Sequence, residues 1–391
     1  MLEVLDGIYW VGSIDWDVRD FHGYVTHRGT TYNSYLLVGD EVALVDFTKM
    51  GSFEEVMRRI EEVVEPGEID YLISNHSEPD HSGTLLRVRD EAPQAEIIAS
   101  ERGRDTLHKY YGEDIEITSI KEKPTLDLGG KSLKFVPVPM AHWPDSMVTY
   151  VEDDKLLLSS DAFGQHLATS GRFDDEVDHP TLMQEAAAYY ANILMPLWRS
   201  VKRAMDALQG IDIEVIAPSH GIIWRDNPGE ILEHYKRWIS GETREKAVIV
   251  YDTMWHSTEM IAEALSQGIM GEDVEVVVHN LDASHRSDVI TDILDARAVL
   301  VGSPTLNNHV FPTVAAFMAY MRGLKPQNKI GAAFGSYGWG GGAKRWLEPE
   351  LERSGIELLE SDIEFLYRPT EEELERAREY GRTVARKIKE G

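Results

Sequence analysis

The chain has 391 residues, 42% hydrophobic and 27% charged, which is more than one ordinary domain and enough to bury sizeable cores. Lys and Arg total 39 against 68 Asp and Glu, and the formal charge of −29 argues against binding nucleic acid or an anionic membrane through bulk charge. Cysteine is absent, which excludes disulfides, thiolate catalysis and cysteine-held zinc or iron–sulfur centres, so any metal must use histidine and carboxylate.

The first ten residues hold Glu3 and Asp6 with no basic stretch ahead of an apolar one, so no secretory signal is read there. From Gly7 to about Leu167 short apolar runs alternate with turns, and the pairs Gly39-Asp40 and Asp153-Asp154 read as tight hairpins. Helical patterns cover Ser52–Glu65 and about Pro180 to Leu208, and IEVIAPSH, ending at His220, returns to strand. Hairpin strands with separate helices predict an α+β layered domain over residues 1–244. Beyond the charged segment Gly241–Lys246 the pattern changes. Five apolar runs, beginning with KAVIVYD, alternate with five helical segments, the last opening on a capping box at Thr370–Glu373 after Pro369. That alternation predicts an α/β doubly wound, five-stranded parallel sheet over residues 245–391. The longest stretch without formal charge, Val299–Met321, carries Pro304, Asn307, Asn308, His309 and Pro312 and reads as a loop and short helix, not a membrane span. A cytoplasmic protein is the expectation.

In the first domain, Asn75-His-Ser-Glu-Pro-Asp-His81 places His76, Glu78, Asp80 and His81 directly after the apolar run YLIS. One histidine after a strand is usually structural; four ligand-type side chains in six positions are much less often a solvated turn. His142 follows LKFVPVPMA, Asp161 follows KLLLSS, and His220 follows IEVIAPS, so strand ends recur as the carriers. Four histidines and three carboxylates without sulfur suit two adjacent ions with one bridging carboxylate. Imidazole fits zinc, iron and copper, while the carboxylate oxygen tilts the set toward iron.

In the second domain, Thr253-Met254-Trp255-His256-Ser257-Thr258 lies between a strand and a helix, where backbone N–H groups and hydroxyls can hold a phosphate. Neither G-x-G-x-x-G nor G-x-x-x-x-G-K-[ST] is present, which speaks against a dinucleotide fingerprint and ATP. Two later strand ends carry Ser303-Pro304-Thr305-Leu306-Asn307-Asn308 and Ser336-Tyr337-Gly338-Trp339-Gly340-Gly341. In a doubly wound sheet such loops meet at the switch point, where Trp255, Tyr337 and Trp339 could stack on a flat ring. Ser and Thr are also ordinary helix caps, and loop aromatics are as often packing residues.

The spacing H-x-E-x-D-H, followed by a histidine, an aspartate and a final histidine, resembles the metallo-β-lactamase fold, whose hydrolytic members carry histidine where this chain has Glu78. With Thr31–Leu36, Phe21–Tyr24, HWPDS after His142 and DAFG from Asp161, the chain resembles the flavodiiron proteins, and its second domain resembles flavodoxin. The resemblance spans essentially the whole chain and implies an N-terminal αββα sandwich followed by a flavodoxin-like domain. It implies one iron on His76, Glu78 and His142, a second on Asp80, His81 and His220, and Asp161 between them. It also implies FMN in the hydroxyl-rich loops, and reduction of dioxygen to water or of nitric oxide to nitrous oxide, dioxygen being preferred here. Electrons would come from rubredoxin, which this cysteine-free chain does not carry, or from a reduced deazaflavin coenzyme. A head-to-tail homodimer, or a dimer of such dimers, is expected. His22 and His166 are candidates to support the metals and move protons. Two rival readings are a dinuclear zinc hydrolase with an accessory flavodoxin domain, and an electron carrier with an inert N-terminal scaffold.

Overall fold

The computed structural model describes residues 2–391. Two compact units emerge: residues up to Tyr189 with Leu197–Lys236, and Tyr190–Pro196 with Arg237–Gly391.

The first unit is built on two sheets. One has seven strands in the order Leu2–Leu5, Ile8–Trp10, Tyr35–Val38, Val42–Val45, Tyr71–Ser74, Glu96–Ala99 and Ile117–Ser119. The other has five: Thr125–Asp127, Ser132–Pro137, Met147–Val151, Leu156–Ser160 and Val215–Pro218. Side-chain alternation along the strands assigns their two faces. Leu37, Ala43, Val45 and Ile73 of the first sheet pack with Phe135, Val151, Leu156 and Leu158 of the second. Leu36, Leu44 and Leu72 point the other way, onto Val56 and Ile60 of helix Phe53–Glu61 and onto Leu85 and Val88. Both hairpins form, with Val38 opposite Val42 and Val151 opposite Leu156.

The long helical run predicted from Pro180 is interrupted. Helix His179–Tyr189 passes into a π-helical turn, Tyr190–Leu194, then a 3₁₀ turn, Met195–Leu197, before Trp198–Ala207. Pro196 explains the break, because it lacks an N–H and disfavours helical geometry at the residue before it. The π turn belongs with the second unit: Tyr190 packs on Trp238 with ring centroids 5.0 Å apart, and Tyr320 donates to Asn192 at 2.7 Å. The compact units part inside helix Pro228–Ser240, ahead of residues 244/245, where the strand–helix pattern of the sequence changes.

The second unit is an all-parallel sheet in the order Glu275–Asn280, Arg244–Tyr251, Ala296–Pro304, Lys329–Tyr337 and a fifth position. Two short strands, Ile356–Leu358 and Glu364–Leu366, fill that fifth position in series along Lys329–Tyr337. The polar triplet Glu360-Ser361-Asp362 separates them. Five helices alternate with the strands, and Thr370 caps the last, Glu371–Lys389, in a reciprocal box with Glu373. That helix crosses Ser257–Met270 at very short range, where a Cβ on Gly268 would lie 2.0 Å from the Arg378 carbonyl oxygen. The switch point of the sheet lies between Arg244–Tyr251 and Ala296–Pro304, as the strand order requires.

Candidate metal and flavin sites

The segment after Tyr71–Ser74 delivers four polar side chains because it turns sharply twice. Asn75 is pinned by buried Asp46, whose carboxylate accepts from the Asn75 backbone N–H at 2.8 Å and from its side chain at 3.1 Å. Pro79 then starts a single helical turn, Pro79–Ser82, with Glu78 at its N-cap. His76 and Glu78 are thereby brought to one cluster, and Asp80 and His81 to a second beside it. Asp161 and His220 leave the ends of adjacent parallel strands and are tied together through Ser219 N–H donating to the Ser160 carbonyl at 2.8 Å.

Two clusters result: His76, Glu78, His142 and Asp161 in one, Asp80, His81 and His220 in the other, with the ligand atoms of each within 4.8 Å of one another. Asp161 faces both. Its Oδ2 lies 3.0 Å from His142 Nε2 and 3.5 Å from His76 Nε2; its Oδ1 lies 3.1 Å from His81 Nε2 and 3.5 Å from His220 Nε2. Glu78 Oε2 is 3.3 Å from His76 Nε2, and Asp80 Oδ2 is 3.2 Å from His220 Nε2.

Supporting hydrogen bonds leave the Nε2 atoms facing inward. Asp145 Oδ2 accepts from His76 Nδ1 at 3.0 Å, from Ser77 N–H at 2.7 Å and from the Ser77 hydroxyl at 2.5 Å. His220 Nδ1 donates to the Thr31 carbonyl at 2.6 Å. The Tyr189 hydroxyl donates to Asp161 Oδ1 at 3.0 Å. Asp145 falls inside the HWPDS stretch, but neither it nor Tyr189 shows this supporting role in the sequence.

The electrostatics are strongly coupled. Burial alone would raise the Asp161 carboxyl, yet His81 and His142 hold it well below the carboxylate range. Burial would lower His81, but Asp80 and Asp161 push it up to about 9. His166 goes the other way: burial and the neighbouring His220 press it well below the usual histidine range, so its ring is neutral. Its Nδ1 is 2.7 Å from Thr30 Oγ1, and its ring centroid is 4.9 Å from that of His220. His22 is exposed at the rim, with Nε2 3.0 Å from Glu78 Oε1.

Three carboxylates and four imidazoles gathered out of water are costly unless they neutralise one another or coordinate metal. Asp80 Oδ1 and His81 Nδ1 are buried without hydrogen-bond partners, and the donor set is nitrogen and oxygen only. These residues fit a pair of non-haem irons joined through Asp161.

In the second unit the loops predicted to converge enclose a cavity of ≈ 570 Å³. Thr253, Met254, Trp255 and Ser257 line it, as do Pro304–Asn308 and Ser336–Gly340. Thr253 Oγ1 is buried without a partner beside the start of helix Ser257–Met270, which suits a phosphate. Trp255 and Trp339 are 87% and 99% exposed, leaving their ring faces available to a flat ligand. The residues fit FMN. Four predicted positions do not line the cavity. The Thr258 hydroxyl bonds Ser336 Oγ at 2.9 Å, His256 Nδ1 pairs with Glu259 at 2.5 Å, and the Ser303 hydroxyl donates to the Pro304 carbonyl at 2.8 Å; Gly341 lies outside the wall. Tyr367 and Arg368, at the end of the fifth strand position, also line the cavity, and no motif in the sequence marks them.

Comparison with known proteins follows the same division. The ODP family beta lactamase model matches residues 30–221, and the flavodoxin model matches residues 249–381. The nitric oxide reductase of Moorella thermoacetica is 49% identical over 391 residues, covering 98% of each chain. Rubredoxin oxygen:oxidoreductase from Desulfovibrio gigas superposes with a TM-score of 0.96 at 37% identity, covering 100% of this chain and 98% of that one. The flavodiiron protein from Giardia intestinalis gives 0.97 at 35% identity, covering 99% and 96%.

Proposed function

The chain belongs to the flavodiiron proteins, and from that membership we propose that it reduces dioxygen to water or nitric oxide to nitrous oxide. It is an oxidoreductase with FMN and a non-haem diiron centre as cofactors. The observation that carries the proposal is Asp161, which offers one oxygen to each of two separate ligand clusters. In this reading His76, Glu78 and His142 would hold one iron, Asp80, His81 and His220 would hold the other, and Asp161 would join them. Thr253 and Ser257 would hold the FMN phosphate, while residues 304–308 and 336–340, with Tyr367 and Arg368, would enclose the rest.

Bound irons would supply Lewis-acid and one-electron chemistry, and FMN a store of two electrons. Reduction of one dioxygen takes four electrons and four protons and gives two waters; two nitric oxides take two electrons and two protons and give nitrous oxide and one water. Asp145 fixes the His76 ring through Nδ1 so that Nε2 faces the centre, and the Thr31 carbonyl does the same for His220. Tyr189 holds Asp161 in place. His22, exposed and 3.0 Å from Glu78, connects the centre to solvent protons. His166, neutral and fixed by Thr30, serves as packing against His220 instead of a proton donor.

Electrons arrive from rubredoxin or a reduced deazaflavin coenzyme, and the working species is a head-to-tail homodimer or a dimer of such dimers. Among the described residues no helix is long and apolar enough to cross a membrane. The zinc hydrolase reading loses ground to Glu78 and to relatives whose names are those of oxidoreductases. The test is a metal and flavin count, then anaerobic reduction and mixing with each gas. Two irons and one FMN per chain, with reoxidation by at least one gas, are expected; a reduced flavin inert to both, or zinc with ester turnover, would reject the assignment.

A further inference from the structure

Arg172 is an anomaly in the first unit. Its side chain is buried, the residue being 5% exposed, yet Nε and Nη1 have no hydrogen-bond partner. Only Nη2 finds a partner among the described residues, donating to the Thr169 carbonyl. Among the described residues no carboxylate lies within ion-pair distance of it; Glu176, the acid acting on it, accepts from its backbone N–H instead and pairs with Arg225. Burial lowers its pKa to about 10, so it stays charged at neutral pH. Leaving two guanidinium nitrogens unsatisfied in the interior is a cost that native structures rarely tolerate.

A second cation shares the place. The Arg59 guanidinium carbon sits 4.6 Å from the Trp10 ring centroid, and that of Arg172 sits 5.3 Å from the same ring. Arg59 spends one nitrogen on the Gly12 carbonyl and another on Glu55 at 2.7 Å. Both arginines, with Trp10 and Ser170, open onto a cavity of ≈ 330 Å³ at the low end of the range for small-ligand sites. Among the described residues the one acid in its lining, Glu62, is exposed, whereas Arg172 is buried. In a chain of charge −29, two arginines on one indole, one buried and unpaired, are an arrangement that wants an anion.

The geometry points to a small-oxyanion site at Arg172, Arg59, Trp10 and Ser170, separate from the metal and flavin sites and taking a phosphate, sulfate or carboxylate group. It lies directly behind the strand end that carries His220. Trp10 Nε1 donates to Asn33 at 2.8 Å, and Asn33 in turn donates to the Pro218 and Gly221 carbonyls on either side of that histidine, at 2.8 and 3.1 Å.

The test titrates the iron- and FMN-loaded protein calorimetrically with sodium phosphate, sodium sulfate and sodium acetate, against sodium chloride of matched ionic strength. One saturable site per chain is expected for at least one oxyanion, lost in Arg172→Gln and weakened ~10-fold or more in Arg59→Gln, the loss of one charge-assisted hydrogen bond. Acetate binding with the same arginine dependence identifies a carboxylate ligand; phosphate or sulfate alone identifies a tetrahedral one. Should Arg172→Gln fail to fold, Arg59→Gln decides. No saturable binding by any of the three, or binding unchanged in the variants, overturns the site.

Discussion

Asp145 provides the sharpest test of the metal site because it touches no proposed iron and yet should control one. Its Oδ2 accepts three hydrogen bonds, from His76 Nδ1, Ser77 N–H and the Ser77 hydroxyl, while Oδ1 is buried and unpartnered. Burial would raise its carboxyl, but the His76 hydrogen bond and charge hold it lowered, so it is an anion at neutral pH. Asp145→Ala would strand three buried donors at roughly 1–3 kcal/mol each and confuse stability with metal binding. Asp145→Asn is cleaner: the amide oxygen still accepts at the Oδ2 position, and the NH₂ replaces an oxygen that bonds nothing. What is lost is the charge, which roughly halves each bond and frees the imidazole to turn. Removing such a partner typically costs 10–100-fold in metal affinity, about 1.4–2.7 kcal/mol. The assay is iron retention against a graded chelator, with flavin content and unfolding of the metal-free protein as controls. Iron affinity within ~3-fold of wild type, in a variant that folds and keeps its FMN, would refute the argument that this carboxylate aims His76.

Further outcomes follow from the same geometry. His142→Ala should lose iron and keep FMN, measured by metal analysis and flavin absorbance. Thr253→Val, which removes the unpaired hydroxyl in the flavin cavity, should weaken FMN ~10-fold by fluorescence titration of the apoflavoprotein and leave iron in place. Gly268→Val should lower unfolding free energy by about 3 kcal/mol or prevent folding, because the new Cβ meets the Arg378 carbonyl at 2.0 Å. Lys329 is buried, and burial depresses its pKa from 10.5 to about 7. The unfolded chain therefore binds the extra proton between pH 7 and pH 10.5; stability rises with pH across that window, and the penalty is complete below it. Lys329→Met should flatten that slope and add up to about 5 kcal/mol near neutrality, less what the Leu294 carbonyl loses as acceptor, read by denaturant unfolding at several pH values.

Much of this architecture is legible in the residues because it is local or periodic. The two hairpins announce themselves by turn residues between alternating strands, and the second unit by its strand–helix alternation. The four ligand-type side chains of 76–81 fall within six positions, and His142, Asp161 and His220 share one context, a strand end. What escapes is set by partners distant in sequence. Asp145, though inside the HWPDS stretch, and Tyr189 show no partner until folding brings one to His76 and the other to Asp161. Tyr367 and Arg368 follow a fifth strand position whose two halves are split by polar residues, so their loop does not read as a strand end. Conversely, Thr258 has the right type and place for phosphate, yet its hydroxyl satisfies Ser336 in the interior. Sequence spacing fixes neighbourhood along the chain; it does not fix which way a hydroxyl points.

The central claim is that Asp161 joins two irons, and anomalous diffraction at the iron edge, on crystals of protein grown with iron, tests it most directly. The account predicts two peaks, one toward Oδ2 among His76, Glu78 and His142, the other toward Oδ1 among Asp80, His81 and His220. A single peak, or two peaks that vanish at the iron edge and persist at that of zinc, would contradict it.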